Sequence, residues 1–532
     1  MRITFLVVLS VILSLTSCAK KGTLTGGPKD EDPPVFVSAS PEYMTTNFDA
    51  KKIKISFNEF IKLDKVNTQL VVSPPLEYSP EISPAGSASK FIGIKIQDTL
   101  KENTTYSFNF GNSVVDNAEG NVYGNFKYVF STGDYIDSLE VSGSVKYANS
   151  ADPANEVSIL LYPLDSTFQD STIYKSKGYY VGNTLDTTLY NLTNLKAGTY
   201  KMIALKDQSS NYIYDPKEDQ IGFLESAIEL PKDTANYELI LFKEILPFRL
   251  IKPKEINKGH IVIPFEGELP NDLKIKPLGD YTDLKYTLLK DATKDSLNLW
   301  YPKDLKDSLI LKVSYFNEID TFTTLFRTNK YDSLSLKNLN KGYINFKEKF
   351  TLESNQPIEK IDLEKISLMY PDSTFKSPEI LYDSIRMQIN FGIDLQESSK
   401  YELEILPGAI QSIFETNLDT LQYNIRTKKI EDYGEISLNF NSQENQSIIV
   451  ELLTEKEDLV SSFKGTSDDT VKFDLLTPKN YLIRVILDEN KNGKWDTGNY
   501  LNNLQPEKII YFPRVINIRA NFFENETLEL IP

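Results

Sequence analysis

Apolar and polar residues alternate along most of this chain. Ile53-Lys-Ile55-Ser-Phe57, Tyr106-Ser-Phe108-Asn-Phe110, Tyr237-Glu-Leu239-Ile-Leu241 and Tyr401-Glu-Leu403-Glu-Ile405 place apolar side chains at every second position. Successive side chains on a pleated strand point to opposite faces, so a period of two buries one face and wets the other. Gly, Pro, Asn and Asp punctuate the runs, and no long amphipathic helical pattern interrupts them. The pattern predicts an all-β protein made of sandwiches. At roughly 100 to 200 residues per domain, 532 residues make several of them.

The N-terminus breaks the alternation. Arg2 is followed by a run from Ile3 to Leu15 that is apolar except at Thr4, Ser10 and Ser14. It falls short of the roughly 20 residues a membrane-spanning helix needs, and it reads as a signal peptide over 1–17. Leu15-Thr16-Ser17-Cys18 resembles the bacterial lipobox, an aliphatic residue and two small residues before the cysteine that takes the lipid. That resemblance implies cleavage before Cys18 and diacylglycerol and palmitate-type acyl chains on its thiol. Each buried methylene contributes about 0.8 kcal/mol, so two or three chains hold a protein firmly on a membrane. Residues 18–32, rich in Gly, Pro and charge, are expected to form a flexible tether. The tether is similar to those of Bacteroidetes-type lipoproteins. In that group an acidic cluster after the cysteine marks surface export. Lys20 and Lys21 stand there instead, which implies an outer-membrane lipoprotein facing the periplasm.

Composition narrows the chemistry. Cys18 is the one cysteine and His260 the one histidine, so the chain cannot form an internal disulfide and lacks the usual Cys/His zinc sets. His260, at the start of a strand-like Lys258-Gly259-His260-Ile261-Val262-Ile263, is expected to be structural or exposed rather than part of a triad. The net charge of −17 disfavours nucleic acid as a partner.

Recurring motifs divide the mature chain. Residues 33–135 carry Ile55-Ser-Phe57-Asn-Glu59, Leu100-Lys-Glu102-Asn-Thr-Thr-Tyr106, Asp116-Asn-Ala-Glu-Gly120-Asn121 and Phe130-Ser-Thr132. These resemble the bacterial Ig-like domain of S-layer-type surface proteins. Residues 138–244 carry Val141-Ser-Gly143-Ser-Val145 and Leu195-Lys-Ala-Gly198-Thr-Tyr200. They are similar to the prealbumin-like, or carboxypeptidase-regulatory-like, β-sandwich. Leu395-Gln-Glu397-Ser-Ser-Lys-Tyr401 and Ile425-Arg-Thr427 repeat the first set, making 335–428 a second Ig-like unit. Leu476-Thr-Pro-Lys-Asn-Tyr481 repeats the second set, making 432–532 a second prealbumin-like unit. Between them, 246–330 fits a degraded Ig-like unit. The expectation is an elongated array standing on Cys18.

Two acidic loops carry recognisable chemistry. Asp488, Asn490, Asn492, Gly493, Lys494 and Asp496 sit at the spacing of a calcium loop, but Asn499 occupies the place of its bidentate glutamate. Asp207, Ser209, Asn211, Asp215 and Glu218 share the frame and keep the glutamate, with Tyr212 where glycine belongs. Each loop is open to two readings, a structural calcium or an Asx-rich turn capping its own backbone.

Function is less legible. The repeats and the absence of a catalytic set favour a non-enzymatic envelope scaffold that meets another envelope protein. The alternative is glycan binding, because prealbumin-like sandwiches resemble starch-binding modules; Trp300 and Trp495 are its candidate platforms. A hydrolase built on carboxylate pairs is a third reading.

Overall fold

The computed structural model describes residues 30–233, 236–279, 284–305 and 307–530. The expected leader, Cys18 and most of the expected tether lie outside the described residues. Nearly all regular secondary structure in the described chain is β-strand, and the strands gather into five successive units of facing sheets, the fourth with an added two-stranded sheet of Ile358–Ile361 and Ile410–Ser412. This is a tandem array of β-sandwiches. Alternation is the cause. In strand Lys52–Leu63, Ile53, Ile55 and Phe57 are buried while Lys52 and Lys54 are exposed. They pack with Ile92 and Ile94 in one core with Tyr106, Phe108 and Phe130.

The first unit sets a sheet of Phe36–Ser40, Lys52–Leu63, Ser89–Lys95 and Glu81–Ser83 against Val71–Ser73, Thr105–Asn109 and Lys127–Ser131. The second and fifth units share a different topology. In each, the opening strand pairs in parallel with the closing one: Leu139–Tyr147 with Asn236–Leu241, and Gly434–Ser442 with Phe523–Leu530.

The repeated motifs prove to be latches. In the first unit the Tyr106 hydroxyl accepts the Lys101 N–H at 2.9 Å. The Thr132 hydroxyl accepts the Thr104 N–H at 3.0 Å and donates to the Lys101 carbonyl at 2.6 Å. In the fourth unit Tyr401 accepts the Gln396 N–H at 2.6 Å, and Thr427 accepts the Ser399 N–H at 3.0 Å. Tyrosine and terminal threonine thus close the same loop from two sides, as a tyrosine corner does. Tyr200 and Tyr481 do related work in the second and fifth units, donating to the Lys196 and Thr477 carbonyls at 3.0 and 2.9 Å. The Asp116 motif is also a turn device. Its carboxylate accepts backbone N–H groups from Ala118, Glu119, Gly120 and Asn121.

The array is not elongated. The fourth unit holds the fifth through the Asn345 amide on the Leu475 carbonyl at 2.6 Å. The fifth then returns to the second: Arg484 donates to the Asn149 carbonyl at 2.9 Å, and Glu457 accepts the Ala151 N–H at 2.8 Å. Units two to five form a closed circuit, and aromatic side chains from the acidic loops of the second and fifth units enter one buried cluster.

Two outcomes follow from the latches. Tyr401→Phe removes the acceptor of a loop N–H in a part-buried bond, which costs about 0.5–1.5 kcal/mol. Hydrogen exchange at the Gln396 amide is expected to quicken roughly tenfold, the equivalent of about 1.4 kcal/mol. For Asp116, burial pushes the carboxyl up, but the four backbone N–H groups outweigh it and hold it below the ordinary range. A depressed carboxyl stabilises the fold fully above its unfolded value, near pH 4, and that contribution is lost as pH falls through the lower folded value. Asp116→Asn is therefore expected to lower the melting temperature at pH 7 and to flatten its decline between pH 5 and 2.

Candidate functional site

The two acidic loops are one structure used twice. Asp207 follows strand Gly198–Lys206, and Asp488 follows strand Asn480–Leu487. The Asp207 carboxylate accepts the Tyr212 N–H at 2.6 Å; the Asp488 carboxylate accepts the Gly493 N–H at 2.9 Å. Both bonds join the first position of the frame to the sixth. The fourth positions, Ser210 and Lys491, have φ of 53° and 59°, and the sixth positions, Tyr212 and Gly493, have 60° and 75°. Glycine suits that left-handed conformation and tyrosine does not. Tyr212 holds it because its N–H is bound by Asp207 and its ring packs against a buried cluster.

The side-chain oxygens of Asp207, Asn211, Asp215 and Asp219 are engaged by the chain itself. Asp219 accepts N–H groups from Gln208 and Asp215, both at 2.9 Å. Ser209 donates its N–H to Asp207 at 3.1 Å, Asn211 accepts from Ile213 at 2.7 Å, and Asp215 accepts from Lys217 at 2.9 Å. Glu218 is exposed and contributes its N–H to the Asp215 carbonyl. Burial raises the Asp207 carboxyl above its usual range, and the Asp219 charge adds to it.

In the later loop, Asn490 and Asn492 both donate their amides to Asp496. Lys494 sets its ammonium 3.0 Å from Glu268 of the third unit and 3.4 Å from Asp496. Burial works to raise Asp496, yet the two amides and Lys494 keep it below the ordinary range. Asn499 faces its own turn, accepting the Asn502 N–H at 2.9 Å. Glu507 was not singled out by the motif, yet it braces the same loop. Its two oxygens accept the N–H groups of Glu489 and Asp496, at 3.1 and 3.0 Å. Among the described residues, no group of three or more His, Cys, Asp or Glu side chains is placed to hold a metal ion.

What the loops do visibly is meet. Tyr212 and Tyr214 from one, and Trp495 and Tyr500 from the other, share a cluster with Ile203, Leu205, Phe223 and Phe242. Glu244, at the exit of the second unit, is the polar centre of this contact and is 8% exposed. One oxygen accepts the Tyr500 N–H at 2.6 Å and the other the Tyr214 hydroxyl at 2.7 Å. Burial, then the Glu244 charge, push the Tyr214 hydroxyl far above its usual range, so it remains a donor. Thr497 donates to the Lys243 carbonyl at 2.8 Å, and Gln505 to the Phe223 carbonyl at 2.9 Å. Glu244, Asp219, Phe242 and Tyr500 carried no motif signal, since a buried acid between units has no sequence period.

The tryptophans are not open platforms. Trp300 is 6% exposed; its ring stacks on His260 at 3.8 Å between centroids and leans on Phe414 of the fourth unit. His260 bonds to the Asn298 oxygen at 2.9 Å, and burial lowers its pKa. Trp495 is half-buried in the closing contact and donates its indole N–H to the Glu507 carbonyl at 3.0 Å.

Residues 30–132 match the family model described as "Bacterial Ig-like domain". No curated protein matches the chain by sequence. Among solved structures, the Bacillus anthracis TIE protein is 9% identical, with 98% of this chain and 78% of that one covered and a TM-score of 0.14. The S-layer protein rSbsC is 11% identical, with 92% and 67% covered and a TM-score of 0.14. SGBP-B of the Bacteroides ovatus mixed-linkage glucan utilization locus, solved with a mixed-linkage heptasaccharide, is 12% identical, with 64% and 86% covered and a TM-score of 0.17. At these scores the likeness says nothing about function.

The closing contact can be broken at one atom. A Cβ on Gly498 would lie 2.6 Å from the Phe242 ring and 2.7 Å from the Leu504 carbonyl. Gly498→Val is expected to release the fifth unit from the second. Small-angle scattering should then give a larger radius of gyration than the wild type; an unchanged profile would count against the contact.

Proposed function

We propose that the protein is a non-enzymatic lipoprotein of the cell envelope that works as an interaction scaffold. One observation carries the reading: the closed circuit of units two to five, sealed at Glu244, fixes how their surfaces are presented. A flexible string of sandwiches would not do that, and relative motion is the default for domains without such contacts. The fold alone does not name a function.

The anchor comes from Leu15-Thr16-Ser17-Cys18, and the placement on the outer membrane facing the periplasm comes from Lys20 and Lys21. The partner in this reading is another envelope protein or a glycan, and the net charge of −17 speaks against nucleic acid.

Cys18→Ala tests the anchor. The wild type is expected in the outer-membrane fraction, labelled by a clickable palmitate analogue and protected from protease added to intact cells. The variant is expected unlabelled and soluble. A variant that stays on the membrane would contradict lipid anchoring, and digestion of the wild type in intact cells would contradict the periplasmic orientation.

A further inference from the structure

The first two units meet along a cleft of about 810 Å³. That volume falls in the range of small-ligand sites, roughly 300–1,000 Å³. The cleft is built rather than incidental. Its two walls are tied at the base by the Val181 N–H on the Ser73 hydroxyl at 3.0 Å and by the Lys177 ammonium on the Leu76 carbonyl at 3.0 Å. On the far side of the same junction, Gln69 donates to Asp186 at 3.3 Å. The walls are therefore in place before any ligand arrives.

At the rim stands Tyr78, 65% exposed, on a segment whose position is set by Asp98. That carboxylate accepts the Glu77 N–H at 2.5 Å and the Tyr78 N–H at 3.2 Å. An exposed ring on a fixed backbone is a platform with little ordering cost left to meet. Across the cleft lie Asp165 and the exposed Lys175. The charges of the lining balance: Glu77, Asp98 and Asp165 against Lys101, Lys175 and Lys177. In a chain of net charge −17, a neutral cleft is a local departure.

Carboxylates only accept hydrogen bonds and ammonium groups only donate them. A ligand that meets both at close spacing must itself donate and accept, as sugar hydroxyls do. The apolar C–H face of a pyranose ring is the natural cover for a tyrosine ring. We infer that this cleft binds a short neutral oligosaccharide, with Tyr78 as the stacking platform and Asp165 and Lys175 as hydroxyl partners. The inference goes beyond the scaffold reading and does not depend on the lipid anchor, so either can fail while the other stands.

The test is isothermal titration of the full mature chain carrying Cys18→Ser with three neutral hexasaccharides: cellohexaose, maltohexaose and chitohexaose. At least one is expected to bind saturably with a millimolar or tighter Kd. Tyr78→Ala should weaken it at least tenfold, and Asp165→Asn at least threefold. Tyr78 is exposed, so its substitution should leave the melting temperature unchanged and separate lost binding from lost folding. Leu189→Asn, in the neighbouring cleft between the same units, should bind as the wild type does. The inference is overturned if none of the three sugars binds, if Tyr78→Ala binds as tightly as the wild type, or if a sulfated hexasaccharide binds more tightly than every neutral one.

Discussion

A carboxylate with both oxygens occupied, set among aromatic rings, holds the fifth unit of this protein against the second. Glu244 receives one donor from its own unit, the Tyr214 hydroxyl, and one from the other, the Tyr500 backbone. Burying a charge is costly unless it is hydrogen-bonded, and here each oxygen has a partner. The arrangement is specific for the same reason. If the fifth unit shifts, Glu244 loses a donor in a place water does not easily reach, and an unsatisfied buried group costs about 1–3 kcal/mol or more when charged. The aromatic cluster supplies the non-directional part of the contact and the carboxylate its register.

The rest of the architecture leans on that register. Glu244 sits where the chain leaves the second unit, so the contact also fixes the start of the path into the third. Lys494 reaches from the fifth unit to Glu268 of the third in an exposed ion pair, a minor addition to the contact. The third and fourth units are joined through Trp300 and Phe414. The first unit stands outside the circuit and is docked on the second, which leaves the cleft at their junction with firm walls on both sides.

The fold could be read well from the sequence because its cause is local. Alternation is a property of neighbouring residues, and it places Ile53, Ile55 and Phe57 inward whatever the rest of the chain does. The repeated Leu/Tyr motif was visible for a related reason: its tyrosine latches onto backbone five residues earlier, and the threonine of the second motif closes the same loop from 28 residues further on. The acidic loops were legible as a repeated frame, down to the turn residue, since Tyr212 adopts the backbone of Gly493. Their role was not legible. Packing between units depends on pairs such as Glu244 and Tyr500, 256 residues apart. No periodicity links such residues, and the expectation of an elongated array failed on that point. Trp300 and Trp495 illustrate the same gap. Composition marks them as possible platforms, but only the neighbouring units show that their rings are covered.

The most direct test of this account is a distance measurement across the closing contact. Spin labels on cysteines replacing the exposed Leu189 of the second unit and Leu459 of the fifth, in a chain carrying Cys18→Ala, would report it by pulsed dipolar spectroscopy. A closed circuit predicts one narrow distance distribution, broadened when Tyr500→Ala is added. A broad distribution in the chain with native Tyr500, unchanged by Tyr500→Ala, would show that the fifth unit moves freely and would contradict the account.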